Sequence, residues 1–198
     1  MSETRSPREA VKKVENATLF NDGTILVKNV RCSYPHLFKP YTSPKFPDQK
    51  PRFGINMLLP KATHAAALAM VKARNDEIVK AAKVKIAAGK SYVEDGDDSN
   101  DGNEAGSWVL NAKSDRKPKV RDRDKSVIDS ADADKIQGGY WVNVLIDPYV
   151  STKYTRLGCD FQAVQFVRED ELFGKGAIRD EEVDDLLETV EGDDDDGI

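Results

Sequence analysis

Basic side chains are concentrated in three separate stretches of this 198-residue chain, and in the first and third of them they are interleaved with aromatic rings. One runs from residue 31 to residue 53, a second from 113 to 125, and the third is DPYVSTKYTR at residues 147–156. The second stretch carries seven basic residues against three acidic ones. Unpaired nucleic acid is bound by this mixture, because cations contact the phosphates while aromatic rings stack on exposed bases. The three stretches therefore predict a binding site for a single-stranded polyanion.

The residues expected to contact nucleic acid fall into two chemical groups. Each stacked base contributes about 1–3 kcal/mol to affinity, whereas phosphate contacts weaken as the salt concentration rises. The expected phosphate-binding cations are Lys39, Lys45, Arg52, Lys113, Arg116, Lys119, Arg121 and Lys153. The expected base-stacking rings are Tyr34, Phe38, Tyr41, Phe46, Trp108, Tyr149 and Tyr154.

Enzymatic and metal-dependent alternatives have weaker support in the sequence. In VRDRDK (residues 120–125), Asp122, Asp124 and Lys125 could hold Mg²⁺ as in a small nuclease, but alternating charges are also typical of a solvated loop. The acidic segment 94–106 matches the first positions of an EF-hand loop, yet Trp108 occupies the twelfth position, where a bidentate Glu is required. The sequence contains no zinc spacing and no glycine-rich phosphate loop. We therefore expect no catalytic residue, no metal and no cofactor.

Acidic residues are concentrated at the end of the chain. Residues 180–198 contain eleven of the 35 Asp and Glu residues and none of the 30 Lys and Arg residues, so residues 1–179 carry a net charge of +6. A basic body favours a polyanionic partner, and an alternative to nucleic acid is an acidic protein bound by an interaction module. We expect the tail to compete with DNA and to bind a partner, although a merely solubilising tail has the same composition. The tail residues expected to act are Val183, Leu186, Leu187 and Val190, which share one helical face, together with Asp193, Asp194, Asp195, Asp196 and Ile198.

Hydrophobic patterning predicts a mainly β domain with one long helix. The best match is a five-stranded Greek-key barrel of the OB type, although a β-sandwich has a similar pattern. Cys32 and Cys159 lie in apolar segments and are expected to be buried free thiols. The chain has no signal peptide and no apolar run of membrane-spanning length, which predicts a cytoplasmic protein. The expected organisation is a flexible arm (1–17), an OB-like domain (18–175) containing a helix over residues 63–88 capped by Gly89, and an acidic tail (176–198).

Four segments resemble a family of phage-encoded single-stranded DNA-binding proteins. They are VRCSYPHLFKP (30–40), LLPK (58–61), GYWVNVLIDPY (139–149) and LGCDFQAVQFVRED (157–170), and the similarity extends over about residues 20–175. The resemblance implies an OB fold that coats single-stranded DNA without catalysis or sequence preference, during phage replication, recombination or repair in the host cytoplasm. It also implies an acidic tail that competes with DNA and recruits replication or recombination proteins. Related proteins often end on an aromatic residue, whereas this chain ends on Ile198.

Overall fold

The computed structural model describes residues 7–174 and the single residue Leu187. Within this part of the chain, nine strands and one α-helix alternate with short 3₁₀ turns. The strands are β1 (Ala10–Val14), β2 (Ala17–Phe20), β3 (Ile25–Tyr41), β4 (Arg52–Pro60), β5 (Val93–Asp95), β6 (Ser107–Ser114), β7 (Lys119–Arg121), β8 (Trp141–Ser151) and β9 (Arg156–Arg168). The helix is α1 (Ala65–Ala82), and the 3₁₀ turns are Gly96–Asp98, Gly102–Glu104 and Ser130–Lys135.

Five of the strands have the order of an OB barrel, which confirms the predicted fold class. The long strand β3 is central, with β4 and then β6 on one side and β8 and then β9 on the other. Strands β6 and β9 are the two ends of this path, and the sheet is not closed between them by a ladder of hydrogen bonds. A hydrogen bond of 2.8 Å from the Leu157 amide to the Lys90 carbonyl connects the start of β9 to the segment that precedes β5. The barrel is therefore partly open, as is common for this fold.

Four short strands enlarge the predicted five-stranded sheet. Strand β5 extends the β6 edge, and β7 pairs in parallel with β9. Strands β1 and β2 form an antiparallel pair, and β2 continues onto β3. Residues 10–17 are therefore largely strand, where the sequence predicts a flexible arm, and residues 1–6 of that arm lie outside the described residues. The division of the chain into arm, domain and tail stays a prediction.

A bulge in β3 changes which side chains face the core. Strict alternation predicts that Leu26, Val30 and Tyr34 share one face with Cys32, but only Val30 and Cys32 are buried. Asn29 adopts a left-handed φ of 54°, and the β3–β8 register shifts between Val27 and Val30. An extra residue at a bulge reverses the facing of every side chain that follows, so Leu26 is on the opposite face from Val30. Tyr34, which has a φ of 47°, is exposed.

Helix α1 is shorter than predicted and packs against the inner side of the sheet. It ends at Ala82, because Lys83 adopts a left-handed conformation and its amide donates to the Lys80 carbonyl. The predicted cap, Gly89, lies in a later turn. Leu68 and Val71 are buried in the core, as their spacing predicts. Among the described residues, no helix is long and apolar enough to span a membrane.

Both cysteines are buried free thiols, in agreement with the sequence prediction. Burial raises the pKa of the Cys32 thiol to about 12. The pKa of Cys159 is raised in the same direction for the same reason. Since the thiolate is the reactive form, both residues serve as small apolar core groups.

The segment that follows β9 is fastened to the barrel by Arg31. The Arg31 guanidinium donates 2.7 Å to the Glu171 carbonyl and lies 4.4 Å from the ring centre of Phe173. The indole of Trp141 donates to the Asp170 carboxylate at 2.5 Å. These contacts lie beside the last residue of β9, Arg168. The first residue of the strand, Arg156, is at its opposite end.

Candidate nucleic-acid interface

An open groove with a volume of about 700 Å³ crosses the outer face of β3, β4, β6 and the start of β9. Its floor follows the strand register, in which His36 is opposite Gly54 and Gly54 is opposite Lys113. In the neighbouring row, Asn56 is opposite Asn111. Because side chains alternate between the two faces of a strand, these residues point away from the core and into the groove. Gly54 has no side chain, which leaves the floor low at its centre.

Four cations in the described part of the chain line the groove, and one of them, Lys50, lies in the β3–β4 connection, 4.0 Å from Asp115. Arg52, Lys113 and Arg156 belong to β4, β6 and β9, and Arg52 donates 3.2 Å to the Lys113 carbonyl. Partial desolvation, followed by the charges of Arg52 and Arg156, holds the pKa of Lys113 below its usual value. Arg52 also pairs with Asp115 at 2.9 Å. Within residues 7–174, neither Lys113 nor Arg156 forms an ion pair, so both charges are available to an anionic ligand.

Four exposed tyrosine and phenylalanine rings line the same groove. Tyr34, Tyr41, Phe46 and Tyr149 each expose more than a third of their surface. Tyr41 lies flat against His36, with ring centres 4.3 Å apart and planes inclined by 4°. Flat rings that are accessible together on one surface are suited to base stacking.

Tyr149 is held in the groove by a neighbouring glycine. It is opposite Gly158 in the β8–β9 register, and a Cβ atom at Gly158 would lie 2.5 Å from Cζ of the tyrosine. Only glycine at position 158 therefore allows the Tyr149 ring to lie across β9.

The structure brings six of the fifteen sequence-predicted contact residues into the groove. These six are Tyr34, Tyr41, Phe46, Arg52, Lys113 and Tyr149. The other nine do not line it: Phe38, Lys39, Lys45, Trp108, Arg116, Lys119, Arg121, Lys153 and Tyr154. Their contribution to binding stays a prediction.

Two of the predicted stacking rings have structural contacts elsewhere. Trp108 is half-buried, and the ammonium groups of Lys61 and Lys72 lie 4.5 Å and 4.6 Å from its ring centre. Phe38 packs against the core, with Lys117 Nζ 5.8 Å from its ring centre. Contacts between cations and ring faces of this kind stabilise the fold without any ligand.

The basic run 113–125 leaves the groove after its first residue. Strand β7 carries Lys119 and Arg121 to the edge formed with β9. The following residues make a tight turn in which Asp124 accepts a hydrogen bond from the Ser126 amide at 2.9 Å. Asp122 accepts from the Arg123 amide at 2.6 Å. The two carboxylates of the nuclease alternative are thus explained as turn residues.

The sequence interpretation missed several groove residues. Arg156 ends the stretch DPYVSTKYTR that the sequence analysis singles out, but Lys153 was chosen from that stretch as the phosphate-binding cation and Arg156 was not. His36 and the amides Asn56 and Asn111 also line the groove. Their position in strands between apolar neighbours was the available signal, because polar residues at alternate positions of a strand face outward.

The acidic segment between β5 and β6 is a loop beside the groove, and its carboxylates bind protein groups. Lys61 Nζ lies 2.5 Å from Asp95 and 2.6 Å from Asp97. The Tyr34 hydroxyl donates to Asp101 at 3.1 Å, and this bond raises the pKa of Tyr34. In the part of the chain that the structure describes, no three His, Cys, Asp or Glu side chains are grouped to hold a metal ion.

The predicted tail lies outside the described residues except for one position. Leu187 is described and is exposed. The roles predicted for the other tail residues stay predictions.

Comparisons with solved structures identify close relatives of this fold. The single-stranded DNA-binding protein from bacteriophage Enc34, solved in complex with ssDNA, is 32% identical and has a TM-score of 0.79; the match covers 85% of this chain and 99% of that chain. A second structure of the single-stranded DNA-binding protein from bacteriophage Enc34 is also 32% identical and has a TM-score of 0.77; the match covers 89% of this chain and 98% of that chain. The gp2.5 single-stranded DNA-binding protein of bacteriophage T7 is 14% identical over 78% of this chain and 95% of that chain, with a TM-score of 0.51. That last similarity concerns the fold alone.

A search of curated protein sequences gives no match. Comparison with protein-family models agrees with the structural comparison. The family described as Enterobacter phage Enc34, ssDNA-binding protein, matches residues 23–197, which is most of the chain and includes every groove residue. These relatives are described as DNA-binding proteins and not as enzymes, in agreement with the non-catalytic role predicted from the sequence. The chain belongs to the family of the Enterobacter phage Enc34 single-stranded DNA-binding protein.

Proposed function

We propose that this chain binds single-stranded DNA in the groove across β3, β4, β6 and β9 and coats it without sequence preference. The observation that supports this most directly is the pairing of unneutralised cations with exposed rings on one surface. Lys113 and Arg156 would contact phosphates, while Tyr41 and Tyr149 would stack on bases. Neither contact depends on base identity, because all bases have a stacking face and all nucleotides have a phosphate.

Family membership adds support for this function. The Enc34 relative was solved in complex with ssDNA, and the match spans the strands that build the groove. The chain would act on single strands exposed during phage replication, recombination or repair, in the cytoplasm of the infected cell.

Fluorescence anisotropy of a labelled oligo-dT, titrated with the full chain at several salt concentrations, tests the proposal. Saturable binding that weakens as salt rises is expected, since each phosphate contact releases condensed counterions. An absence of binding would favour the alternative of a basic module for an acidic protein. Mg²⁺-dependent cleavage of the oligonucleotide that Asp124→Ala abolishes would favour the nuclease alternative. Anisotropy is preferable to tryptophan quenching, because Trp108 does not line the groove.

Replacing Gly158 with alanine is expected to weaken oligo-dT binding about fivefold, which corresponds to about 1 kcal/mol, or one partly lost stacking contact. The added Cβ would displace the Tyr149 ring from its place across β9. The same anisotropy titration measures the loss. In a Tyr149→Ala background, Gly158→Ala should have no further effect, and an undiminished fivefold loss there would show that the glycine does not act through the ring.

We also propose that the acidic tail competes with DNA for the groove and recruits replication or recombination proteins. Deletion of residues 180–198 is expected to tighten oligo-dT binding about tenfold at low salt, because eleven carboxylates are tethered near the cationic groove. The gain should shrink above roughly 0.2 M salt, where charges are screened within about 8 Å. Titrations of both chains across the salt series check this. Equal affinities at low salt would rule out competition between the tail and DNA for the groove.

A further inference from the structure

Two asparagine side chains form a hydrogen-bonded pair on the floor of the groove. Asn56 of β4 is directly opposite Asn111 of β6, and the Asn111 Nδ2 group donates to Asn56 Oδ1 at 2.8 Å. Both residues are half-buried and line the groove. The Asn111 backbone amide is bonded to the Tyr92 carbonyl at 2.9 Å, which fixes the strand beneath the pair.

The pair leaves one donor group and one acceptor facing the groove. An amide has two N–H donors and a carbonyl oxygen, and this bond uses one donor of Asn111 and one lone pair of Asn56. Within residues 7–174, Asn56 Nδ2 and Asn111 Oδ1 have no hydrogen-bond partner. Neither atom is buried, because Arg74 Nε is the only buried side-chain nitrogen or oxygen without a hydrogen bond in the described residues. The two free groups therefore face a ligand-accessible surface.

A donor and an acceptor on two paired side chains are the groups that the edge of an unpaired base can bind. On its Watson–Crick edge, each of the four bases has a hydrogen-bond donor next to an acceptor, and unpaired bases are commonly bound through this edge. Tyr34 and the stacked rings of His36 and Tyr41 border the same groove, so a base stacked on one of these rings can direct its edge to the floor.

We infer that the Asn56–Asn111 pair is a base-edge binding site that accepts one unpaired base of the DNA bound in the groove. This inference rests on the proposed function and adds a hydrogen-bonding position to its phosphate and stacking contacts. If both amides turn over, the donor and the acceptor exchange places while their mutual hydrogen bond is kept. The pair can therefore match keto and amino bases alike, which is consistent with binding that has no sequence preference.

Oligo-dT methylated at N3 of every thymine tests the site from the ligand side. The methyl group removes the Watson–Crick donor but keeps the phosphates and the stacking face. The full-length wild-type chain is expected to bind the methylated oligonucleotide about tenfold more weakly than unmodified oligo-dT, as measured by anisotropy. This comparison needs no protein variant, so it cannot fail through misfolding.

The double variant Asn56→Ala, Asn111→Ala tests the same site from the protein side. It should bind unmodified oligo-dT about as weakly as the wild type binds the methylated one, and methylation should change its affinity less than twofold. The matched control is Asn143→Ala, Gln165→Ala, which removes a cross-strand amide pair (3.1 Å) between β8 and β9 that does not line the groove. This control should keep the tenfold discrimination.

The outcomes separate the inference from the proposed function. Equal wild-type affinity for the two oligonucleotides would overturn the base-edge site while leaving DNA binding intact. An equal methylation penalty in the wild type and in Asn56→Ala, Asn111→Ala would also overturn it, since the lost contact would then be elsewhere. Failure of the wild type to bind either oligonucleotide would instead overturn the proposed function. Thermal unfolding of each variant confirms that it is folded at the titration temperature.

Discussion

Replacing both Lys113 and Arg156 with alanine is expected to weaken oligo-dT binding about tenfold to hundredfold at low salt. A typical hydrogen bond contributes about 0.5–1.5 kcal/mol net, so two lost contacts correspond to about tenfold to hundredfold in affinity. The two cations lack acidic partners within residues 7–174. The salt dependence should change as well, because each lost phosphate contact reduces the slope of log K against log salt by about 0.7 for single strands. Anisotropy titrations at four or more salt concentrations measure both quantities.

The matched control for this prediction is Lys119→Ala, Arg121→Ala, which removes the same charge from β7. Strand β7 lies at the sheet edge beside β9, and neither side chain lines the groove. The control should lose no more than about threefold, the effect of a general reduction in positive potential. A larger loss of affinity in the control than in Lys113→Ala, Arg156→Ala would show that the phosphates are bound by the basic run and not by the groove.

Replacing Tyr41 with alanine is expected to weaken binding about fivefold to hundredfold, the range found for loss of one stacked base. The effect should be large because Tyr41 and His36 form one flat platform, and removing the tyrosine leaves the imidazole without its stacking partner. Tyr41→Phe keeps the ring and should retain affinity within about twofold. The readout is the oligo-dT dissociation constant at fixed salt.

Tyr154→Ala provides the comparison for the stacking prediction. Tyr154 is more exposed than Tyr41, at 64% against 47%, but it belongs to the β8–β9 turn and does not line the groove. We therefore expect little loss from its removal. If Tyr154→Ala is as damaging as Tyr41→Ala, the DNA path includes that turn, and exposure alone predicts the stacking residues.

The sequence was sufficient to predict the OB-like fold and part of the groove. Short apolar segments bounded by turn residues identify β4, β6, β8 and β9 as strands. Tyr41, Phe46 and Arg52, which the sequence predicts as DNA contacts, all line the groove, because they are close together in the chain around the β3–β4 connection. In that part of the chain, residues that are close in sequence are also close in space.

In other parts of the groove, residues that are close in space are far apart in sequence. Arg156 joins Lys113 only because the start of β9 folds against β6 across the open side of the barrel, a contact between residues far apart in sequence. In the basic run, Lys113 is on the outer face of β6, whereas Lys119 and Arg121 belong to a different strand. The bulge at Asn29 likewise reverses facing without any signal from hydrophobic alternation.

Strand β9 has a consequence for how long a competing tail must be. Its 13 residues carry Arg156 at the groove and Arg168 at the far end, where Arg31 fastens residues 171 and 173. At about 3.3 Å per residue, the strand is at most roughly 40 Å long. A fully extended chain needs about twelve residues to return over that length, so a tail starting after Gly174 reaches Arg156 only near residue 186. The acids of residues 193–196 are then within reach of Arg156, whereas those of residues 180–185 can reach only the nearer side of the groove, where Tyr34 lies three residues from Arg31 in β3. Tail length should therefore matter for competition in its own right, separately from tail charge.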